Sequence, residues 1–424
     1  MRKFALAATA VAALTVGLQT PAFAAAPDAP TEVKVSWADS GHVKVTWADN
    51  GEANEVFVQY TPTSEIKLGD VVSTAANELL IPTGTFQNTD HVRLTVRAIA
   101  ADGSSPSALS PEFDTWGPAA PVLQDANLLA NLSTQLQWTR PAGTDATPND
   151  PLDNSPYEGT EVTAVRPNGT TASLGTYEVG TTSATIAPQP RPTTLGLTAL
   201  TPWGGDPKAV KTVKLGTLGA GITVPASALY SNRLAIKSTL DLFTSQGREE
   251  RASGIKVELQ ARGKTTDAWK TYGRYDGNTT TAFDTGMAAQ GNRQYRLFVP
   301  ARKVVSGNVI VLTPATSTSV KSSKTFVKFL PGGFNPSVVR VGGRSTFSVK
   351  ISPAVSVKVQ LWGWRSGTWI ALGDLPLTKG SYVERGDIET ERYTLRLRVV
   401  APTLVVNGLT VSANTSPAYN LTVK

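Results

Sequence analysis

Almost every apolar run in this chain is short, alternates with polar residues, and stops at Gly, Pro, Asn or Asp. Beyond residue 25, no stretch holds apolar residues at helical spacing for three turns. That pattern excludes helical bundles and α/β layers and predicts an all-β chain of sandwiches. At roughly 100–150 residues per domain, 424 residues make three or four of them. The chain has no cysteine. Each sandwich must therefore stand on its own core, and thiol catalysis, Cys-ligated zinc and a lipidated-Cys anchor are excluded.

The first residues read as an export signal. Arg2 and Lys3 precede an apolar stretch over 4–18, and Ala22-Phe23-Ala24 is a small-x-small cleavage site. The stretch is shorter than the roughly 20 residues that span a bilayer, and no second apolar span follows. The expectation is a signal peptide over 1–24 and a mature protein that is secreted, with no membrane span and with cell-wall association by non-covalent contacts.

Four units are legible. Alternating segments at 32–37 and 42–47 flank a turn at Asp39-Ser40-Gly41, and segments at 55–60, 77–81 and 92–99 follow, closed by Asp102-Gly103. This region resembles a fibronectin type III domain. Trp47 matches that family's core Trp, and Val96, Ala98 and Gly103 match its late pattern, whereas Val92 stands where the family has Tyr. A second copy resembles it from Trp116-Gly117-Pro118, with Trp138 as the core Trp and Thr193 in place of the Tyr. Its long polar segment over 141–156 carries Asp145, Asp150 and Asp153. Clustered carboxylates suit calcium, but no EF-hand spacing is present and the segment reads as a solvated loop.

The C-terminal half is a duplication. Val257-Glu258-Leu259-Gln260 and Trp269 recur as Val357-Lys358-Val359-Gln360 and Trp369. Tyr295 recurs as Tyr393, and Val304-Val305-Ser306-Gly307 recurs as Val405-Val406-Asn407-Gly408. Both copies resemble bacterial immunoglobulin-like sandwiches of exported proteins. The expected organisation is all-β, a string of four Ig-like/fibronectin type III-like β-sandwich domains at 25–115, 116–219, 220–330 and 331–424, after the signal peptide. Gly-rich 215–221 and Pro331-Gly332-Gly333 read as hinges.

The net charge of +7 conceals a split. Residues 220–424 hold 27 Lys/Arg against 12 Asp/Glu, a net +15, while residues 25–219 hold 11 against 21, a net −10. A cationic pair of sandwiches suits an anionic cell-wall polymer or polysaccharide; solubility, or attraction between the halves, explains the split equally well. A protein partner fits too. No nucleic-acid-binding signature is present.

The most informative local motif is Trp362-Gly363-Trp364-Arg365. Alternation places Val357, Val359 and Leu361 toward the core and Trp362 and Trp364 outward together, where Arg262 and Lys264 stand in the sister copy. Two neighbouring indoles can stack on a sugar ring or a cation, which makes Trp362, Trp364 and Arg365 the candidate ligand-binding residues. The alternative is that a neighbouring domain covers them or that Arg365 and Arg396 stack on them. Trp369, like Trp269, reads as core.

Catalysis lacks a motif. The two histidines, His42 and His91, stand outside any nucleophile-elbow or HExxH context. Glu249-Glu250 reads as a solvated hairpin tip, Arg385-Gly386-Asp387 as a chance tripeptide on a loop, and no metal or cofactor motif stands out. The expected function is a non-catalytic secreted binding, adhesion or spacer protein. A carbohydrate- or wall-binding accessory protein is the alternative, and a polysaccharide-acting enzyme comes third.

Overall fold

In the strand Thr31–Asp39, Val33 and Val35 bury while their polar neighbours face out, and Val43, Val45 and Trp47 do the same in His42–Ala48. This period of two forms a three-stranded sheet with Glu78–Pro82, which packs on a second sheet of Ser64–Val71, Ala53–Thr61, Arg93–Ala100 and Gly103–Ser104. Gly103–Ser104 and Ala108–Leu109 both pair with Arg93–Ala100 and share one edge of that sheet, a fibronectin type III-like arrangement whose core includes Trp47, Val56, Leu94, Val96 and Phe113. The computed structural model describes residues 26–101, 103–153, 155–245, 248–388 and 391–424. The export signal at 1–24 and Asp102 lie outside them.

The same construction recurs three times, each with its own core cluster. Among the described residues there is no α-helix. The second core is built on Trp138, which is 1% exposed. In the third and fourth units, the strand pairs Ile255–Arg262/Arg293–Val299 and Val357–Arg365/Thr394–Ala401 occupy equivalent central positions.

The joints between units are packed. In the joint after the second core, the hairpin Arg302–Ser306/Val309–Thr313, encoded after the third core's central strands, adds to the second unit's sheet. Val309–Thr313 runs parallel to Thr212–Leu215, with Gly216 N donating to Leu312 O at 2.8 Å. Ile310 and Leu312, each 1% exposed, belong to the second core. Burying two such side chains contributes about 1.5–3 kcal/mol each. Lys303 Nζ closes the latch on Asp125 and on Asn127 Oδ1. Arg191 Nη1 donates to Gly216 O and Leu312 O, both at 3.3 Å.

The fourth unit repeats the device more lightly. Its hairpin Leu404–Val406/Leu409–Val411 turns through Asn407 and Gly408, both at positive φ, as a tight two-residue turn requires. Leu409 packs where side chains on Gly263 or Gly291 would clash, Asn292 N donates to Thr410 O at 2.7 Å, and Val327 N to Ser412 O at 3.0 Å.

These contacts correct several expectations. The 215–221 run is not a slack hinge: Leu215 is buried and pairs, and Thr217–Thr223 is a strand in which a Cβ on Gly221 would meet Thr239 Oγ1 at 2.4 Å. Gly332 and Gly333 lie within the strand Lys328–Asn335, at a bulge where Ser348 O and Tyr419 leave no room for a Cβ. The acidic 141–156 segment is a strap rather than a solvated loop. Its Leu152 enters the first core and accepts a hydrogen bond from Trp37 Nε1 at 3.1 Å, beside Trp203, whose ring lies 4.9 Å from that of Trp37. The tripeptide 385–387 sits in the strand Ser381–Asp387, not on a loop, with Asp387 paired to Arg344 at 2.5 Å. Glu250 accepts from Thr244 Oγ1 and pairs with Lys214 across the joint, so it is not a free tip.

Leu312→Ala should destabilise the second unit by about 2–5 kcal/mol and raise hydrogen exchange through 212–216, measurable by mass spectrometry; unchanged protection there would mean the hairpin is not docked. The Lys303 hydrogen bond holds the Asp125 carboxyl below its ordinary value. Its contribution is therefore complete above about pH 3.9 and is lost as pH falls through the lower native value. For a pair one-third exposed, that is about 1 kcal/mol or less. Lys303→Met should remove this part of the acid sensitivity in denaturation midpoints taken from pH 6 to 2.5.

Candidate functional site

The hairpin of Val357–Arg365 and Thr368–Leu377 turns through Ser366 and Gly367, again both at positive φ. That tight turn pairs Arg365 with Thr368 and sets Trp364 directly across from Trp369, their rings 5.3 Å apart and edge-on. Trp362 lies one pleat back, opposite Arg398 on the neighbouring strand. Val359 is fully buried, and Val357 and Leu361 pack on the fourth core, so Trp362 and Trp364 face outward together as alternation requires. Trp364 is 41% exposed, Trp362 is half-buried, and Arg365 is exposed.

Trp369 is not core. It lies half-buried on the same outer face, outside the fourth core cluster. Arg398 stacks over it at 4.4 Å and over Trp362 at 5.5 Å, while Arg396 stacks over Trp364 at 5.4 Å and Trp369 at 5.5 Å. Three indoles and two guanidiniums thus form one ladder across three strands. Arg365 makes none of these contacts. Arg398 lies outside the residues singled out by sequence; it belongs because it occupies the cross-strand position opposite Trp362.

The third unit carries the same ladder in thinner form, with Arg262 and Arg296 each 4.5 Å from the Trp269 ring. So Trp269 also departs from the core reading. Structural equivalence differs from the repeat read in sequence. Leu259 pairs with Gly273 and Leu297, and Leu361 pairs with Gly373 and Val399, each followed by a bulge. Trp362 and Trp364 therefore match Gln260 and Arg262, two residues from the expected Arg262 and Lys264; a slip of two keeps every side chain on its face. Tyr295 is 1% exposed and matches Leu397, whereas Tyr393 is 40% exposed and outside the strand.

The guanidiniums of Arg262, Arg296, Arg365, Arg396 and Arg398 pair with no carboxylate among the described residues, the ion pairs of this half using Arg233, Lys237, Lys256, Arg274, Lys303 and Arg344. The Nε groups of Arg262 and Arg296 donate to Gln294 Oε1 and Gln260 Oε1, and stacking leaves the terminal nitrogens of a guanidinium able to meet an anion. The face can therefore offer hydrogen-bond donors and aromatic edges to an acidic ligand.

Elsewhere the candidate chemistry does not converge. His42 pairs with Asp39 at 2.9 Å on the surface, and His91 faces Glu112 at 3.8 Å. Asp150 is spent on the amides of Asp114 and Leu152 and the Thr147 hydroxyl. Burial, together with Asp150 and Asp145, raises the Asp153 carboxyl above its ordinary value. Among the described residues no group of three potential ligands could hold a metal.

No family model and no curated protein matches the chain. Among solved structures, the chain is similar to a tetra-tandem repeat in the extending region of a large adhesion protein, at 11% identity over 93% of this chain and 99% of that one, TM-score 0.27. It is similar to a Ca²⁺-stabilized adhesin with which an Antarctic bacterium binds ice, at 12% identity over 94% and 100%, TM-score 0.22. The FN1–FN3 domains of chicken CNTN1 match at 12% identity over 72% and 98%, TM-score 0.22. The fold assignment rests on the strand order described above.

The ladder predicts modest stability effects. Trp369→Ala should cost about 1–2 kcal/mol, as two stacked cations at about 0.5–1 kcal/mol each, against about 3–5 kcal/mol for Trp138→Ala in a core. Denaturation midpoints of the two variants check this; equal losses would return Trp369 to the core.

Proposed function

We propose that this is a secreted, non-catalytic spacer and adhesion protein of four sandwich modules, 25–115, 116–219, 220–330 and 331–424, in which the outer faces of the last two contact an anionic cell-wall polymer. The observation that carries the reading is the pair of ladders: guanidiniums stacked on tryptophan, without carboxylate partners, on the half of the chain that holds a net +15. Trp362 and Trp364 belong to the fuller ladder, and Arg365 borders it. Export rests on the N-terminal pattern at 2–24. The packed joints support the spacer role, since a presented surface needs a stiff mount.

A second reading is favoured by Trp364, whose 41% exposure leaves ring surface for a neutral sugar. Retention of the mature protein on purified cell walls and on an insoluble neutral polysaccharide, at low and high salt, separates the two. Contact through the ladders predicts retention on walls that falls at least tenfold in high salt and in an Arg396→Ala/Arg398→Ala variant. Sugar stacking predicts salt-resistant retention on the neutral polymer, lost in Trp362→Ala/Trp364→Ala. Salt-resistant retention on walls that ignores both variants would overturn both.

A further inference from the structure

The strand Arg293–Val299 turns Tyr295 and Leu297 into the third core, and Arg293 opens the strand on that same inward face. The Arg293 residue is only 7% exposed, with its guanidinium 4.4 Å above the Tyr272 ring. Its Nε and Nη1 are buried with no hydrogen-bond partner, and no carboxylate pairs with it among the described residues. Directly across the sheet, Ser323 is 4% exposed, and its hydroxyl is also buried and unpartnered. A lone buried cation beside an unused hydroxyl is a costly arrangement that a bound anion relieves.

The sister unit shows that the fold does not require this pair. There the same two strands set Leu395 opposite Leu421, in an apolar cluster with Val339 and Val423. The polar pair belongs to the third unit, which has a further unit docked at that end.

Two clefts meet at Arg293. One, of about 640 Å³, is also lined by Asn292, Ser322, Ser323 and Lys324. The other, of about 420 Å³, is lined by Arg262, Lys270 and Tyr272 and by the Asn407-Gly408 turn of the docked hairpin. Asp267, a carboxylate lining the second cleft, accepts from the Lys264 amide at 2.9 Å. We propose that Arg293 and Ser323 form an oxyanion site at the joint between the third and fourth units, and that it takes a phosphate group. The guanidinium edge and the hydroxyl donate to phosphate oxygens, while Lys324, Lys270 and Arg262 supply positive potential. The site is separate from the fourth unit's ladder and adjoins the third unit's through Arg262, and because a turn of the fourth unit lines one cleft, occupancy ties the two units together.

Calorimetric titration of the mature chain at constant ionic strength tests the site, with inorganic phosphate and dimethyl phosphate as probes. The expected result is one phosphate per chain, with affinity at least tenfold weaker in Arg293→Leu/Ser323→Leu and unchanged in Arg396→Ala. Should the double variant unfold, Arg293→Lys replaces it, with an expected loss of at least fivefold as the planar fork disappears. Binding of both probes identifies a phosphodiester within a polymer as an acceptable ligand; binding of inorganic phosphate alone identifies the free ion. Absence of binding to wild type, or equal binding by the Arg293 variants, overturns the proposal.

Discussion

The strand register between Thr212–Leu215 and Val309–Thr313 is the contact on which the serial architecture depends. It pairs residues about a hundred positions apart in sequence and makes the second core incomplete without Ile310 and Leu312. A sheet that would end at Thr212–Leu215 is instead extended by a neighbour's hairpin, which covers that strand's edge, moves the sheet edge out to Arg302–Ser306 and fixes the relation of two units in one step. Small sandwiches without disulfides have thin cores, so stability is drawn from the joints as well as the interiors. The strap at Leu152 serves the first joint by the same logic, an apolar residue lent to a neighbouring core and held by a hydrogen bond to Trp37.

Composition and alternation were enough to read an all-β chain, because a period of two is a direct consequence of pleating. Trp47 and Trp138 were legible as core through the resemblance to fibronectin type III domains, whose core Trp they match. Partners were not legible. Nothing local in 302–313 says that its hairpin leaves its own sandwich; Ile310 and Leu312 read as an ordinary inward pair whichever core receives them. Leu152 likewise lies in a segment that read as a solvated loop. The run at 215–221 read as slack because glycine has two uses, freedom and close approach, and here the second holds.

The ladder was half legible. Strand parity placed Trp362 and Trp364 outward, and parity survives a slip of two, so the face was right although the repeat had been aligned two residues off. Trp369 failed because it was read from its repeat partner Trp269, which itself stands under two guanidiniums on an outer face. Arg398 could be found only from the cross-strand register. Tyr393 shows the opposite hazard, a residue identity that repeats without its structural position.

Two arginines, one half-buried and one buried, sharpen the contrast between joint and site. Arg191 lies at the second joint with Nη1 on two carbonyls, Gly216 O and Leu312 O, and burial holds its guanidinium below the ordinary value. Its Nη1 is engaged by the chain, while Nη2 is buried without a partner; the carbonyls orient the guanidinium, and it helps hold strand ends that the hairpin brings together. Arg293 lies at the next joint with a tyrosine face and no acceptor. A quadrupole offsets part of the desolvation of a cation but leaves its in-plane N–H groups without acceptors. Where the chain supplies acceptors, the arginine is structural. Where it supplies a hydroxyl donor, further cations and open volume instead, the missing acceptor has to come from outside the chain.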